Sequence, residues 1–401
     1  MTTKKINILV LSYVHEGGEW IATQRLIKML TELSDSLRFF LIGYTEGFKV
    51  DINSFEKILY IEAENVNRPF SFLRKLFFDF FKVRRAIIKL TKETESINIV
   101  LVSYFLMIFP LYSLYIIKKE RVLFLFHGTK CIIKKFSDID YRKIVILILE
   151  RLALLLSSSI VVPSKFAEKF VQSLIYPLSY KKNYYLLPNG IHEIYLKKYS
   201  QNSLVAFRNL INIPISNKII LYSGRIVQYK GLEILIDAFI KILNFQRNLS
   251  LIIAYPKSSS DPQLLNLLNT TIREKGISLK VKFVTDIKPT NLAKIYKIAD
   301  VLILASELEM APLVIIESLA SGTPCIATNT GNVEEVLSQV DPNLILKDKT
   351  SDEILYKLEY FFSLPKIKLQ TMINNSKKIA QKYSSIKSTK TFIQMLESLA
   401  V

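Results

Sequence analysis

Residues 306–324 run Ser-Glu-Leu-Glu-Met-Ala-Pro-Leu-Val-Ile-Ile-Glu-Ser-Leu-Ala-Ser-Gly-Thr-Pro and directly follow Val301–Ala305, an apolar run of strand length. Pro312 suits the first turn of a helix, where its missing N–H costs nothing. Gly322 is the expected stop, because glycine readily adopts the left-handed conformation that ends many helices. The stretch therefore predicts a strand followed by a short helix that opens just after Glu309.

The same alternation of apolar runs and helical stretches extends outward over the rest of the chain. Strands that are continuously apolar, with helices between them, indicate a parallel sheet covered on both faces. The pattern occurs twice, and the polar segment Ser200–Lys218 lies where it restarts. The predicted strands are Ile6–Ser12, Arg38–Gly43, Ile58–Ile61, Ile97–Ser103, Val122–His127, Ser159–Pro163 and Tyr184–Leu187, then Ile219–Tyr222, Leu249–Ala254, Lys280–Val284, Val301–Ala305 and Cys325–Ala327.

Two doubly wound halves in tandem predict an α/β chain of two Rossmann-like domains that face each other across a cleft. We place the first domain at residues 1–192 and the second at 193–380, with a C-terminal helix at 381–401 that packs back towards the first domain. Ligands of such sheets bind at the carboxyl ends of the strands. Neither half has a G-x-G-x-x-G motif after its first strand, which argues against a dehydrogenase.

Composition limits the compartment and the partners. The chain has 401 residues, 50% of them hydrophobic, a net charge of +19 and two cysteines, Cys131 and Cys325. Two cysteines cannot form a disulfide framework or a thiolate metal site, so we expect the cell interior. The excess of Lys and Arg predicts an anionic partner. Without zinc-finger spacing or an RNA-binding aromatic pattern, we do not expect nucleic acid.

Residues 96–117 are the one candidate membrane span, because they carry no charge over a length that could cross a bilayer. Pro110 interrupts this segment. A buried strand followed by an apolar helix at Phe109–Ile117 fits it better. Met1–Lys5 leads directly into the first predicted strand, so we predict no signal peptide.

Glu309 and Glu317 are the carboxylates of the quoted stretch. Glu317 lies among apolar residues, which is unusual for a solvated charge, and the start of the predicted helix is suited to a phosphate. The eight-residue separation spans about 12 Å of helix, whereas the carboxyls of glycosidases lie about 5–9.5 Å apart. Two separate hydroxyl-binding roles therefore fit better than a hydrolytic pair.

A second segment, Leu221-Tyr-Ser-Gly-Arg-Ile-Val-Gln-Tyr-Lys-Gly231, brings two cations to the end of a predicted strand. Arg225 and Lys230 are well placed there to neutralise a diphosphate, although surface loops also carry such residues. Gly17-Gly18 follows the first strand and lets the backbone approach a ligand closely.

Together these segments resemble glycosyltransferase family 4, whose members are retaining enzymes of the GT-B fold. The resemblance covers nearly the whole chain and depends on an ordered set rather than on any one motif. The set is Gly17-Gly18, His127-Gly128, Val162-Pro163-Ser164 with Leu187-Pro188-Asn189-Gly190, Gly224-Arg225 with Lys230-Gly231, and the pair Glu309 and Glu317.

The resemblance implies a role for each of these positions and a donor side at residues 193–380, with the acceptor side at 1–192. Arg225 and Lys230 would bind the diphosphate of a nucleotide sugar, Glu317 the ribose, and Glu309 the transferred sugar. His127 would hydrogen-bond that sugar. The remaining donor-binding positions would be Gly17, Gly18, Ile287, Ala311, Leu313 and Val314. The nucleotide-diphosphate sugar is then a co-substrate, and we expect no cofactor.

Asp138-Ile-Asp140 has the spacing of a metal-binding D-x-D motif. It does not follow a strand, and it precedes a predicted helix at Tyr141–Leu156. We therefore expect a helix-capping surface pair and no metal site, since the two cations and the helix start can take the charge of the leaving diphosphate.

The segment 68–92 carries the strongest local charge. An apolar stripe at helical spacing runs beside its cations, so the segment either covers the first sheet with a solvated basic back or also binds anionic lipid. We expect a lipid-linked or glycan acceptor and a cytoplasmic protein bound peripherally to the inner face of the cell membrane. The cations are Arg68, Arg74, Lys75, Lys82, Arg84, Arg85, Lys89 and Lys92, against the single acid Asp79.

Two other functions stay open. A sugar-nucleotide epimerase of the same fold would turn over a nucleotide sugar without an acceptor. A non-catalytic subunit would bind the nucleotide sugar without turnover.

Overall fold

The structure is a computed structural model, and the chain divides in it into two units. The first unit comprises the chain up to Asn189 together with the segment from Ser385, and the second comprises Gly190–Ser384. The residues that the structure describes are 5–14, 18–45, 54–62, 71–94, 96–115, 117–118, 121–128, 140–285, 287–383 and 386–400.

The first unit is built on a parallel sheet. Its elements before Asn189 are β1 (Ile6–Val14), α1 (Gly18–Leu33), β2 (Leu37–Thr45), β3 (Lys57–Glu62), α2 (Ser71–Glu93), β4 (Ile99–Val102), α3 (Ile108–Tyr112), β5 (Val122–Leu125), α4 (Tyr141–Leu156), β6 (Ser159–Val162), α5 (Lys165–Leu174) and β7 (Asn183–Leu186). Within the described residues the strand order is β3-β2-β1-β4-β5-β6-β7, and all neighbours are parallel. The order reverses between β1 and β4, which is where sheets of this kind bind ligands.

The second unit repeats this plan. Its elements are α6 (Gln201–Leu210), β8 (Lys218–Ser223), α7 (Leu232–Ile242), β9 (Leu249–Tyr255), α8 (Pro262–Glu274), β10 (Val281–Thr285), α9 (Pro289–Ile298), β11 (Val301–Leu304), α10 (Leu313–Ser321), β12 (Cys325–Thr328), α11 (Val333–Leu337), β13 (Ile345–Leu346), α12 (Ser351–Ser363) and α13 (Lys366–Lys382). The parallel strands lie in the order β10-β9-β8-β11-β12-β13. This is the Rossmann order, with its reversal between β8 and β11. The predicted pair of Rossmann-like sheets is confirmed.

Burial explains why the strands have such uniform sequences. Every residue of β4, β5, β11 and β12 is buried, as expected for parallel strands covered on both faces. The last helix, α14 (Ile386–Ala400), belongs to the first unit. Its Phe392 and Leu396 lie in the same buried core as Trp20 and Ile27 of α1.

Two helix predictions need correction. The helix predicted at Phe109–Ile117 ends at Tyr112, and Tyr115 has a positive φ of 50°, which a continuing helix does not allow. The helix expected to open just after Glu309 begins at Leu313, because Pro312 is its N-cap, with an extended backbone at ψ 115°. Gly322 ends it as predicted, in the left-handed conformation at φ 83°.

The segment 96–117 contains β4 and α3 in place of one long helix. No helix in the described part of the chain has both the length and the apolar character needed to cross a membrane.

Candidate active site

Two charged side chains meet where the strand order of the second sheet reverses. Lys230 follows β8, and Glu309 follows β11, the strand that pairs with β8. The Lys230 Nζ lies 2.5 Å from the Glu309 Oε1, and the two side chains are 16% and 12% exposed. Residues that are 79 positions apart are therefore joined at the ligand-binding end of this sheet.

The loop after β8 holds a second cation, Arg225, whose partner is the residue before Lys230. The Arg225 guanidinium donates a hydrogen bond of 2.5 Å to the hydroxyl of Tyr229. The Tyr222 hydroxyl in turn donates to the carbonyl of Arg225 over 2.6 Å, and the N–H of Gly224 donates to the carbonyl of Ala254 over 3.0 Å. The backbone that carries the guanidinium is thus held by one hydrogen bond before Arg225 and one at Arg225 itself. This favours a preorganised anion site.

Gly231 explains how Lys230 can lie against the end of β11. Its φ is 69°, and a Cβ at this position would lie 2.3 Å from the carbonyl oxygen of Ala305. The chain can therefore turn from Lys230 into α7 only with a residue that has no side chain.

We expect Gly231→Ala to destabilise the protein by more than the about 1–2 kcal/mol that a left-handed alanine costs, because the new methyl group also collides with backbone. The matched control is Gly276→Ala, since Gly276 has a similar φ, 67°, and a Cβ added there would meet nothing within 4 Å. The free energies of unfolding of both variants, from thermal or urea unfolding, separate the cost of a left-handed alanine from the cost of the collision with Ala305. Equal losses of stability would contradict a steric role for the contact with Ala305.

The loop after β12 supports the other side of the pair. The Glu309 N–H donates to the hydroxyl of Thr330 over 3.1 Å. Gly331, with φ 64°, packs so closely that a Cβ would lie 2.7 Å from the carbonyl oxygen of Glu309. Asn329-Thr-Gly-Asn332 at a strand end is a turn pattern, and this was the signal in the sequence that could have suggested the contact.

Glu317 lies in a different environment from Glu309. It is 6% exposed, on α10, and its Oε2 accepts a hydrogen bond of 3.1 Å from the hydroxyl of Tyr296 on α9. Burial raises the pKa of Tyr296, and the charge of Glu317 raises it further, so the tyrosine remains a hydrogen-bond donor. Tyr296 was missed from the sequence, where it is one apolar position of an amphipathic helix.

The other predicted positions lie at strand ends or helix starts. Leu313 and Val314 form the first turn of α10, directly after Ala311-Pro312, and N–H groups at this position have no partner within their own helix. Ile287 follows β10 and packs, partly buried, against the core of the second unit. Gly18 begins α1, whereas Gly17 lies outside the described residues.

His127 follows β5 in the first unit. Its Nε2 lies 3.0 Å from the hydroxyl oxygen of Thr23, a buried residue of α1, in a hydrogen bond whose direction depends on the tautomer. Thr23 of α1, the helix that follows β1, thereby orients the imidazole ring of His127. Asp140 caps α4 by accepting from the N–H of Arg142 over 3.2 Å, as expected for a capping residue. Asp138 lies outside the described residues.

Comparison with known proteins links the second unit to one family. Residues 206–379, all within this unit, match the family model for glycosyl transferases group 1. The match covers most of the second unit. Over 181 residues the chain is 31% identical to an uncharacterized glycosyltransferase of Methanocaldococcus jannaschii, an alignment that covers 45% of this chain and 45% of that relative. The chain thus spans less than half the length of this curated relative.

Solved structures resemble the chain beyond the residues that match the family model. Sucrose-phosphate synthase from Thermosynechococcus elongatus superimposes with a TM-score of 0.80 at 19% identity, over 98% of this chain and 99% of that one. The Anabaena protein HepE in complex with UDP-glucose gives a TM-score of 0.74 at 15% identity, over 98% and 99%. At these identities the likeness concerns the fold, and it confirms the predicted GT-B class of two tandem Rossmann-like domains.

Proposed function

We propose that this chain is a retaining glycosyltransferase of family 4 that moves a sugar from a nucleotide-diphosphate sugar to a hydroxyl acceptor. The observation that carries the proposal is the pair formed by Lys230 and Glu309 between β8 and β11. A cation and a carboxylate at this position offer one group to a diphosphate and one to sugar hydroxyls. The family match of residues 206–379 and the UDP-glucose bound to the HepE protein support a donor of this class.

Each side chain of the site has a place in this proposal. Arg225, Lys230 and the N–H groups at the start of α10 bind the diphosphate, with Leu313 and Val314 contributing those groups. Glu317 binds the ribose hydroxyls from its buried position, held by Tyr296. Glu309 orients the transferred sugar. Ile287 lies beside the base, and Ala311 and Gly18 contribute backbone contacts.

In the proposed reaction the bond between the anomeric carbon and the diphosphate oxygen breaks as the acceptor oxygen bonds to the same face of that carbon. Negative charge develops on the leaving diphosphate, and Arg225 and Lys230 stabilise it without having to move. The departing phosphate oxygen takes the proton of the acceptor hydroxyl. His127 hydrogen-bonds the sugar, which fixes its orientation during the transfer.

A panel of nucleotide sugars, scored for nucleotide release with and without alcohol acceptors, tests the donor and the reaction class. We expect release to depend on both a donor and an acceptor, and the anomeric proton coupling of the product to match that of the donor. Turnover without an acceptor would instead indicate an epimerase or a hydrolase. Binding without turnover would indicate a non-catalytic subunit, and binding of no donor would refute the assignment.

We further propose an acceptor that is a lipid-linked glycan or glycolipid, met at the cytoplasmic face of the membrane. The exposed face of α2 carries Phe77, Phe78 and Phe81, followed by Arg85 and Lys89. Aromatic and basic groups on one helix face favour an anionic lipid surface, where each cation contributes about 1 kcal/mol.

We expect the protein to sediment with vesicles that contain acidic lipid and to remain in solution with neutral vesicles. Arg85→Glu combined with Lys89→Glu reverses two exposed charges of α2 and should abolish the sedimentation. Arg247→Glu combined with Lys275→Glu, on the second unit, makes the same change of net charge and should leave it intact. Equal effects of both pairs would show attraction by net charge alone.

A further inference from the structure

The first unit contains a pocket that the proposed chemistry does not use. It has a volume of about 470 Å³, within the range of small-molecule sites. Its walls come from the end of β2, from α2, from residues 104–109 between β4 and the first turn of α3, and from α4. The lining residues are Tyr44, Leu76, Phe77, Asp79, Phe80, Phe81, Val83, Tyr104, Leu106, Met107, Phe109 and Leu149.

The walls of this pocket are almost entirely hydrocarbon. Asp79 is the one charged residue among those lining it, and its carboxylate already accepts a hydrogen bond of 2.5 Å from the hydroxyl of Tyr44. Aliphatic and aromatic side chains form the rest of the surface. Such a lining favours an apolar occupant, because a polar group placed there would lose its hydration without gaining partners.

The mouth of the pocket has a different character. Phe77 and Phe81 line the pocket and are also 61% and 40% exposed, with their rings 4.8 Å apart in a T-shaped pair. Arg85 and Lys89 follow Phe81 at intervals of four residues on α2 and are exposed, so they continue the same helix face. An occupant that enters here passes a basic surface first and an apolar wall second.

The inner wall lies at the ligand-binding edge of the first sheet. Tyr44 is near the carboxyl end of β2, and Tyr104 follows β4 closely. The ring of Tyr104 stacks on those of Tyr44 and of Tyr13 at the end of β1, with centroids 6.0 and 5.3 Å apart, and the rings of Tyr13 and Tyr44 are tilted at 5.8 Å. The inner end of the pocket therefore lies close to the edge where β1 and β4 diverge, the edge at which such sheets bind ligands.

We propose that this pocket binds the hydrocarbon chain of an anionic lipid, and that this lipid carries the acceptor hydroxyl. The role as acceptor rests on the proposed glycosyltransferase function, whereas the binding of the chain does not. The apolar walls select the chain, and the exposed cations of α2 select the charged head.

Titration calorimetry with monomeric octyl, decyl and dodecyl phosphate tests the binding. Each methylene that enters the pocket should tighten binding about fourfold. Dodecyl phosphate should bind more tightly than dodecyl phosphocholine, whose head group has no net charge. Leu149→Trp fills the pocket from α4 and should weaken dodecyl phosphate at least tenfold and remove the dependence on chain length. Leu152→Trp, on the same helix but at an exposed position outside the pocket lining, is the matched control and should bind like the parent.

Phe77→Ser provides a second test that does not disturb the core, because this side chain is largely exposed. It should weaken dodecyl phosphate, whereas Phe245→Ser, an exposed phenylalanine of the second unit, should not. Thermal unfolding of all four variants shows that they fold.

The outcomes separate the pocket from the transfer reaction. Equal binding by Leu149→Trp and Leu152→Trp, or affinity that does not change with chain length, would overturn the proposal that the pocket binds a hydrocarbon chain. Sedimentation with acidic vesicles but no binding of monomeric alkyl phosphates would also overturn it, since surface contact alone would explain the result. If the protein bound the hydrocarbon chain but turned over no nucleotide sugar, the lipid-binding proposal would hold and its role in acceptor recognition would be refuted.

Discussion

Lys230→Ala is expected to lower kcat/KM for the nucleotide sugar by about 10²–10³-fold, the range found when one group aimed at developing charge is removed. The ammonium group is the partner of Glu309 at 2.5 Å and is only 16% exposed. Its loss removes a positive charge next to the proposed diphosphate site. It also leaves the Glu309 carboxylate without this partner, so that an incoming anion meets a negative charge.

Steady-state kinetics and the affinity for the nucleotide diphosphate measure both effects. Lys241→Ala is a suitable control, because Lys241 is also ion-paired, with Asp237 and Asp352, on the helix that begins after Gly231. We expect the control to keep its activity. A loss of less than about threefold in Lys230→Ala would rule out a direct contact between this lysine and the diphosphate.

Glu309→Gln should have the opposite effect on binding but a comparable effect on turnover. We expect kcat to fall by about 10²-fold, because the amide cannot orient the sugar as a carboxylate does. Affinity for the nucleotide diphosphate should be unchanged or tighter. In the structure Lys230 is neutralised by Glu309, and removing this negative charge leaves the lysine available to bind phosphate.

Glu307→Gln is the matched control for this experiment. Glu307 lies two residues away on the same loop, and its Oε1 pairs with Lys349 at 2.7 Å. The control should retain both turnover and binding. If Glu309→Gln weakened the nucleotide diphosphate as much as Lys230→Ala does, the pair would be a structural ion pair and not two separate binding groups.

The strands and the general place of the site could be predicted because their information is local. A parallel strand that is buried on both faces has a continuous apolar sequence, as in Val301–Leu304, and ligand residues follow the carboxyl ends of such strands. Gly322 also acts locally, since a left-handed residue is needed where α10 ends. The predicted start of α10 lay a few residues before the observed one, because Pro312 fits both the first turn of a helix and an extended N-cap.

The contacts that shape the site could not be predicted from local pattern. Tyr296 binds Glu317 across 21 positions of sequence, and Thr330 binds the backbone of Glu309 across the same separation. These pairs exist only because neighbouring strands and helices bring them together. The pocket behind Phe77 depends on four separate segments, and in the sequence the phenylalanines of α2 belong to an ordinary amphipathic stripe.

The position of α14 has a consequence for the order in which the chain can fold. Phe392, Ile393 and Leu396 complete a core whose other buried members precede residue 190, whereas the second unit takes its residues from one continuous stretch, Gly190–Ser384. During synthesis from the N-terminus, the first unit therefore cannot complete its core until a helix that follows the whole second unit has been made. Until α14 has been made, the first unit exposes the apolar surface that α14 covers, whereas the second unit needs no residue beyond Ser384.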